Sequence, residues 1–377
     1  MRKVLIICNT VLQIMFATNL KYTEFVDDDV DLIISDHTNN SEVIANNSKN
    51  VNAFSNVFYV KSKDFVRSEA AILTNGRWGY ITDEIHKTQI LKRFIGLTDK
   101  YDILFAANPD KFANLLFECL YEKNPNMKYF MYEDGLSAYC VLGETLKLQR
   151  HLTVSKLHTV FNQIIRKKYA SKYISGLYLF EPELCEWDDG IPLYKMAKID
   201  KNNEKLVHTL NEMFGYSKMN DTYSERYIFF EESYSVEDTE VNDIEIVENI
   251  AEIVGKDNIK VKIHPRNPIN RFANLGFATN KNTFIPWELI MLNEDMENKI
   301  LLSIASGSIA NPYIIMGMKT KSIVLMKCAQ GDFGKSGNIY NEFLYTKIYK
   351  RNPDVFLVPS DIKELDKMII NLEKDEA

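Results

Sequence analysis

The sequence lacks the features that mark several classes of protein. Its five cysteines are an odd number, lie far apart and show no CxxC spacing, so we expect reduced thiols in a cytosolic compartment. No stretch approaches the roughly 18 uninterrupted apolar residues of a membrane-spanning helix. The first apolar run, residues 4–8, soon meets Asn9 and Gln13 and forms no signal-peptide core. We therefore predict a cytoplasmic protein, and peripheral association with the inner membrane face stays open.

An excess of positive charge is also missing. The formal net charge is -7 at pH 7, which argues against a general nucleic-acid binder. A local basic stretch at 166–168 would suit an anionic membrane surface, although a solvated helix face is the simpler interpretation. The histidines other than His264 follow no metal-ligand spacing such as HExxH, so we predict no metal.

Length and composition indicate a globular chain of more than one domain. The 377 residues are 46% hydrophobic and 26% charged, which suits two α/β halves with sizeable cores. Short apolar runs alternate with helical patterns in both halves, including a predicted helix at 83–94 and a basic helical pattern at 146–168. The predicted division is an N-terminal Rossmann-like domain over 1–195, a helical linker region over 196–225, and a C-terminal Rossmann-like domain over 226–377.

A histidine fixed against a proline ends one predicted strand. Residues 259–263 alternate between apolar and basic, and Pro265 cannot donate to a ladder, so we expect the strand to end at His264. Ligands of open α/β sheets bind at the carboxyl ends of strands. Lys262 and Arg266 add positive charge there, which suits a phosphate. The alternative is a surface His-Pro turn without function.

Two neighbouring acids follow another predicted strand, at 128–132. Glu133 and Asp134 precede Gly135, whose missing side chain lets a substrate approach the backbone. Repulsion between the two carboxylates is expected to raise one pKa toward the range of a general base. The alternative is a solvated acidic turn.

A serine-rich turn joins the predicted strand 301–305 to a short helix at 310–317. Backbone N–H groups and the hydroxyls of Ser306 and Ser308 would converge there as an anion site, although serines that merely cap a helix give the same pattern. We expect His264 to lie on an adjacent strand end of the same half, which favours phosphate binding.

Four motifs in this order resemble those of a known family. They are Cys8 to Gln13 after the first strand, Tyr132 to Gly135, Lys262 to Pro265, and Ser306 to Ser308. Together they resemble the bacterial sialyltransferases, in particular glycosyltransferase family 52, which decorates lipooligosaccharide and capsule. The acid-acid-glycine, His-Pro and serine motifs of that family are shared with polysialyltransferases and multifunctional sialyltransferases.

The resemblance implies a GT-B fold, in which two Rossmann-like domains face a central cleft. It implies a metal-independent, inverting transfer from CMP-sialic acid to a galactose-terminated glycan, without a further cofactor. Asp134 would be the base, Glu133 its supporting carboxylate, and His264 would contact and protonate the departing phosphate. The residues implied in substrate or nucleotide binding are Gly135, Pro265, Lys262, Ser306, Gly307, Ser308, Asn9 and Thr10.

The resemblance leaves several points open. The first motif reads Asn-Thr-Val-Leu-Gln where the family more usually has a Thr-Pro-Leu-Gln-like sequence. The base of at least one branch is thought to come from the second domain, which would make acids of 231–243 competitors of Asp134: Glu231, Glu232, Asp238 and Asp243. Some members are domain-swapped dimers, so a homodimer is compatible with the resemblance. A GT-B enzyme for another nucleotide sugar and a non-catalytic glycan-assembly protein are compatible with the same sequence.

Overall fold

The structure is a computed structural model that describes residues 1–63, 100–151, 170–218, 221–234, 240–331 and 334–374. The predicted helix at 83–94 and most of the basic helical pattern at 146–168 lie outside these residues. The chain divides into two compact units. Unit 1 comprises Met1–Ala197 and His208–Gly215, and unit 2 comprises Lys198–Val207 and Tyr216–Ala377.

Unit 1 contains a parallel sheet whose strand order is β3-β2-β1-β4-β5-β6-β7 in the described residues. Its strands are β1 (Lys3–Cys8), β2 (Asp29–Ser35), β3 (Asn56–Val60), β4 (Ile103–Ala106), β5 (Lys128–Tyr132), β6 (Ile174–Leu179) and β7 (Leu193–Lys195). Its α-helices are α1 (Val11–Thr23), α2 (Ser41–Asn50), α3 (Lys111–Lys123) and α4 (Leu142–His151). Helix α5 (Glu204–Phe214) begins in unit 2 and continues in unit 1.

Unit 2 contains a second parallel sheet, with the strand order β10-β9-β8-β11-β12-β13. Its strands are β8 (Tyr227–Phe230), β9 (Ile259–Lys262), β10 (Ala278–Thr279), β11 (Ile300–Ser303), β12 (Ser322–Val324) and β13 (Phe356–Leu357). Its α-helices are α6 (Asp243–Val254), α7 (Arg271–Asn274), α8 (Trp287–Asn293), α9 (Gly334–Phe343) and α10 (Ile362–Lys374). A 3₁₀ turn at Gly307–Ile309 and a π-helix at Pro312–Met316 follow β11.

Burial on both faces explains why the central strands are continuous apolar runs. Val4, Leu5 and Ile6 of β1 are all fully buried, as expected for parallel strands that carry helices on both sides. In the same sheet the Phe105 ring stacks on Phe130 at 5.4 Å between ring centroids. Each unit therefore has its own core, and the strand ends are left to carry polar residues.

The strands predicted in both halves are confirmed, with differences at their ends. β9 ends at Lys262, two residues before His264. The segment 196–225 contains one helix and is divided between the two units. The expectation that His264 and the serine turn follow adjacent strands is wrong, because β8 lies between β9 and β11. Among the described residues, no helix is both long and apolar enough to cross a membrane.

Candidate active site

Asp134 lies at the carboxyl edge of the sheet of unit 1, just after β5. Its carboxylate accepts two hydrogen bonds from side-chain amides, one on each oxygen. Gln13 Nε2 donates to Oδ1 at 2.6 Å, and Asn108 Nδ2 donates to Oδ2 at 2.6 Å. Each oxygen of the carboxylate keeps a further lone pair. The half-buried Asp134 can therefore accept a proton or a hydroxyl hydrogen bond from a substrate.

The amide of Gln13 is itself held in one orientation. The backbone N–H of Asn9 donates to Gln13 Oε1 at 2.6 Å, which turns Nε2 toward Asp134. Thr10 is the N-cap of α1, and its hydroxyl accepts the Gln13 N–H at 3.2 Å. Asn9 Nδ2 donates to Asp110 Oδ2 at 2.7 Å. The structure thus gives Asn9 and Thr10, predicted to bind substrate, contacts that fix the groups around Asp134.

Glu133 occupies a different environment from its neighbour. Its side chain is buried, and its Oε2 accepts the Tyr139 hydroxyl at 2.5 Å and the Phe180 N–H at 3.1 Å. Its Oε1 is buried without a hydrogen-bond partner in the described part of the chain. Burial raises the pKa of Glu133 to about 8, and the charge of Asp134 adds a smaller increase. The expected pKa rise therefore exists, but its main cause is burial and not repulsion between the two acids.

Gly135 has a backbone conformation that explains its place after the acids. Its φ is 72° and its ψ is -172°, a combination that is essentially restricted to glycine. A Cβ at this position would lie 3.8 Å from Leu12 Cδ2, an ordinary contact. The requirement for glycine is therefore conformational, since space for a methyl group is present.

His264 lies beyond the carboxyl end of β9 in unit 2. Its ring Nδ1 accepts the backbone N–H of Arg266 at 3.2 Å, so the proton of the neutral ring is on Nε2. Its own backbone N–H donates to Glu231 Oε2 at 3.3 Å. The following Pro265 is exposed. The Arg266 guanidinium, expected to add charge near a phosphate, donates to Ser233 Oγ at 2.7 Å.

The serine turn follows β11 and is closed by its own hydroxyls. Ser306 Oγ accepts the Ser308 N–H at 3.2 Å and donates to Ser308 Oγ at 3.1 Å. This leaves the hydroxyl hydrogen of Ser308 uncommitted among the described contacts. A Cβ on Gly307 would lie 2.9 Å from the Tyr340 hydroxyl, so the missing side chain allows this close approach.

Glu232 anchors the serine turn through hydrogen bonds with the residues that precede it. Its Oε1 accepts the Ala305 N–H at 2.6 Å and the Ser303 hydroxyl at 3.2 Å. Its Oε2 accepts the Tyr234 hydroxyl at 2.7 Å. Burial raises the pKa of Glu232, and these donors oppose the rise. The carboxyl group therefore acts as an anchor for the loop that carries Ser306.

The remaining acids that compete with Asp134 are also engaged. Glu231 is buried and pairs with Arg271 at 2.9 Å, and Asp243 is buried and pairs with the same guanidinium at 2.5 Å. Asp238 lies outside the described residues. Among the residues that are described, no group of three or more His, Cys, Asp and Glu could hold a metal ion.

Lys262 is placed differently from the prediction that it contributes charge to a phosphate site. Its side chain is buried and its Nζ donates to the Ile285 carbonyl at 3.1 Å. Burial lowers the pKa of Lys262 to about 8. Every residue of β9 is buried, as is usual for a parallel strand covered on both faces, so the ammonium group is directed into the interior.

Three residues of the site were not given these roles from the sequence: Asn108, Tyr139 and Arg271. Asn108 had a detectable signal, because it follows the strand at 102–106 in the same way that Asp134 follows its own strand. Tyr139 and Arg271 had none, since their partners are set by packing between elements. The sequence motifs therefore locate the strand ends and, through the motif that ends at Gln13, one residue that orients Asp134, but not these three.

Comparison with known proteins adds a family and a fold. Residues 4–325 match the family model described as alpha-2,8-polysialyltransferase (POLYST). No curated protein sequence gives a significant match.

Solved structures resemble the whole chain. A putative UDP-N-acetylglucosamine 2-epimerase from Listeria monocytogenes has a TM-score of 0.51 and 10% identity, and the match covers 100% of this chain and 88% of that one. TcCGT1 in complex with UDP has a TM-score of 0.50 and 10% identity, with 98% and 89% covered. At such identities the likeness shows the fold alone. The fold is GT-B, as predicted, with two α/β units that each contain a parallel sheet.

We predict that Gly135→Ala lowers the free energy of unfolding by about 1–3 kcal/mol, the usual cost of holding a side-chain-bearing residue in a glycine-only conformation. Urea unfolding followed by circular dichroism measures the change. Ser137→Ala, an exposed position in the next turn, is the control. Equal stability of the two variants would contradict the conformational requirement.

We predict that Glu133 makes the folded state less stable as the pH rises. Its pKa is about 8 in the folded chain against an ordinary 4.5, so the native state holds one more proton between these values. The free energy of unfolding then falls by about 1.4 kcal/mol per pH unit in that window because of this group.

Glu133→Gln removes the titrating group. Its free energy of unfolding, relative to that of the wild type, should therefore rise by about 1.4 kcal/mol for each pH unit from pH 5 to pH 8. Urea unfolding at several pH values measures the difference. Glu144→Gln, at an exposed site on α4, should show no comparable slope. A pH-independent difference for Glu133→Gln would mean that Glu133 is already ionised at pH 5.

Proposed function

We propose that this chain, which belongs to the alpha-2,8-polysialyltransferase family and is therefore a glycosyltransferase, is an inverting, metal-independent sialyltransferase. Its donor would be CMP-sialic acid, and its acceptor a galactose-terminated glycan of lipooligosaccharide or capsule, used at the cytoplasmic face of the membrane. Membership in glycosyltransferase family 52 and a homodimeric state are further parts of this proposal. The sequence motifs and the geometry of the two strand edges support it.

The observation that carries the proposal is the environment of Asp134. Its two oxygens accept amide hydrogen bonds from Gln13 and Asn108, which fix the carboxylate without neutralising it. A fixed carboxylate with free lone pairs can remove the proton of an acceptor hydroxyl as that oxygen attacks the sugar carbon. Attack from the face opposite the leaving phosphate inverts the anomeric centre.

The competing acids are less suited to this role. Both oxygens of Glu231 are in use, by Arg271 and by the backbone of His264. Asp243 is bound to the same arginine. Glu231 and Asp243 are buried beside a guanidinium, whereas Asp134 is half-buried and receives its two side-chain hydrogen bonds from neutral amides, so a substrate hydroxyl can reach Asp134 more readily. The geometry therefore favours Asp134 over Glu231 and Asp243.

Glu133 supports Asp134 indirectly in this mechanism. Its pKa of about 8 keeps it protonated at neutral pH, so it adds no second negative charge beside the base. Its contacts with Tyr139 and Phe180 join the turn after Asp134 to the end of β6. The resulting role is to hold the loop that carries the base.

His264 is expected to stabilise the leaving phosphate as a hydrogen-bond donor. Its Nδ1 accepts the Arg266 N–H, and a proton on Nδ1 would face that N–H directly. In the neutral ring the proton therefore lies on Nε2, and this N–H would donate to the phosphate. Negative charge grows on the phosphate as the sugar departs, and a fixed donor stabilises that charge without transferring a proton. This differs from the expectation that His264 protonates the phosphate.

Ser308 is the second expected phosphate donor. Ser306 uses its hydroxyl hydrogen on Ser308, so Ser308 is the member of the pair whose hydroxyl can donate outward. Ser306 would then act mainly by holding Ser308. Lys262 takes no part in this proposal because its ammonium group is directed to Ile285.

A second acceptor class is favoured by the family match. The family is described as alpha-2,8-polysialyltransferase, so a glycan that ends in sialic acid is the alternative to a galactose-terminated one. The same fold could also serve a different nucleotide sugar as donor, since a fold does not determine the donor. A non-catalytic protein that binds nucleotide or glycan is the remaining candidate function.

The proposal is tested by measuring CMP release from CMP-sialic acid in the presence of EDTA. Lactose and a 2,8-linked oligomer of sialic acid serve as the two acceptor classes. We expect acceptor-dependent release with one of them, and a fall in kcat of about 10²–10⁴-fold for Asp134→Ala, the usual contribution of a general base. His264→Ala should also lower kcat.

Asp27→Ala, at an exposed site in unit 1, is the control and should keep the wild-type rate. Wild-type kcat for Asp134→Ala would place the base elsewhere. The absence of both CMP binding and turnover would remove CMP-sialic acid as the donor, and loss of activity in EDTA would contradict metal independence.

A further inference from the structure

A second polar cluster lies on the same sheet edge as Asp134, around His37. His37 follows β2, and Ser62 follows β3, the neighbouring strand. The Nδ1 atom of His37 is 2.9 Å from Ser35 Oγ and 3.0 Å from Ser62 Oγ. Both serines are buried, whereas His37 is half-buried. The two buried serines thus hold the Nδ1 side of the ring, and the half-buried ring has another side toward the surface.

The hydrogen bonds of the two serines determine the tautomer of His37. Ser35 Oγ donates to Asn9 Oδ1 at 2.7 Å, and Asn9 is oriented because its Nδ2 donates to Asp110. Ser62 Oγ donates to Asp36 Oδ1 at 3.1 Å. Each hydroxyl has one hydrogen, which is used in these bonds. His37 Nδ1 must therefore carry a hydrogen and donate it to the serine oxygens.

The consequence is a lone pair on the second ring nitrogen. With Nδ1 protonated, the neutral ring of His37 presents Nε2 as an acceptor. Within the described parts of the chain, Nε2 has no hydrogen-bond partner. A half-buried acceptor of fixed orientation, at the edge where parallel sheets bind ligands, suits the hydroxyl group of a sugar.

The spacing between β2 and β5 indicates which sugar of the acceptor would contact His37. β2 and β5 are separated by β1 and β4. Three interstrand spacings of about 4.8 Å give roughly 14 Å between the two strand ends. This separation of the backbones exceeds the width of one sugar ring, which favours contact of Asp134 and His37 with different sugars of the acceptor.

We propose that His37 Nε2 accepts a hydroxyl hydrogen bond from the acceptor glycan, at a sugar remote from the one that reacts. The proposal rests on the proposed function in that it takes Asp134 as the point where the acceptor reacts. It makes His37 a residue that favours acceptors of several sugars over a disaccharide.

Two substitutions separate the proposed contact from a structural role of His37. In His37→Asn the side-chain amide can replace the Nδ1–H donor to Ser35 and Ser62, but nothing replaces Nε2. In His37→Gln the amide reaches the position of Nε2, and its carbonyl oxygen can accept a hydroxyl. His208→Ala, at an exposed histidine on α5, is the control.

The kinetic test compares KM for a galactose-terminated disaccharide with KM for a galactose-terminated tetrasaccharide. The same comparison is made with a dimer and a tetramer of 2,8-linked sialic acid. For His37→Asn we expect KM of the tetrasaccharide or tetramer to rise about 2- to 10-fold, the size of one neutral hydrogen bond. KM of the short acceptor and kcat should stay unchanged, and His37→Gln should restore part of the loss. An unchanged KM for the four-sugar acceptor that the enzyme uses, or an equal rise for short and long acceptors, would overturn the proposal.

A binding measurement without donor separates this inference from the proposed function. Saturation-transfer NMR of the tetrasaccharide and the tetramer is recorded for the wild type, His37→Asn and His208→Ala. Weaker binding to His37→Asn alone would support the glycan contact even if no sialic acid is transferred. Equal binding to all three proteins, or no binding to the wild type, would contradict it.

Discussion

The polar cluster around Asp134 in unit 1 and the one around Glu232 in unit 2 depend on the same constraint of parallel sheets. All strands of such a sheet end at the same edge, so the loops that follow them bring polar residues from distant parts of the sequence together. Helices cover the faces, which makes an unpaired polar group near this edge costly. The side chains therefore orient one another: Asn9 fixes Gln13, and Gln13 with Asn108 fixes Asp134. In unit 2, Glu232 fixes the turn that carries Ser306 in the same way.

The two neighbouring acids show how environment divides roles between identical chemical groups. Glu133 is enclosed, has one oxygen without a partner among the described residues, and has a pKa raised to about 8 by burial. Asp134 receives two amide donors and remains half-buried. One group is thereby kept neutral and joins elements, while the other presents lone pairs that a substrate can reach. Gly135 completes the arrangement because its conformation turns the chain away after the base.

The positions of the strand ends could be predicted from the sequence, whereas many of the side-chain contacts around them could not. Apolar runs that stop at a polar residue located Asp134 and His264, since this pattern follows directly from burial of the strands. The direction of Lys262 could not be predicted, because alternation in a doubly covered strand does not say which face is more open. The pairing of Glu231 with Arg271 was also hidden, since 40 residues separate them and only the packing of α7 brings them together.

The proposed mechanism requires that Asp134 receives the proton of the acceptor hydroxyl. The most direct measurement is a crystal structure of the protein with CMP and an acceptor glycan bound together. We expect the oxygen of the reacting hydroxyl to lie about 2.6–3.2 Å from a carboxylate oxygen of Asp134, with Gln13 and Asn108 still bound to it. A reacting hydroxyl in contact with Glu231, Glu232 or Asp243, and out of reach of Asp134, would contradict this mechanism.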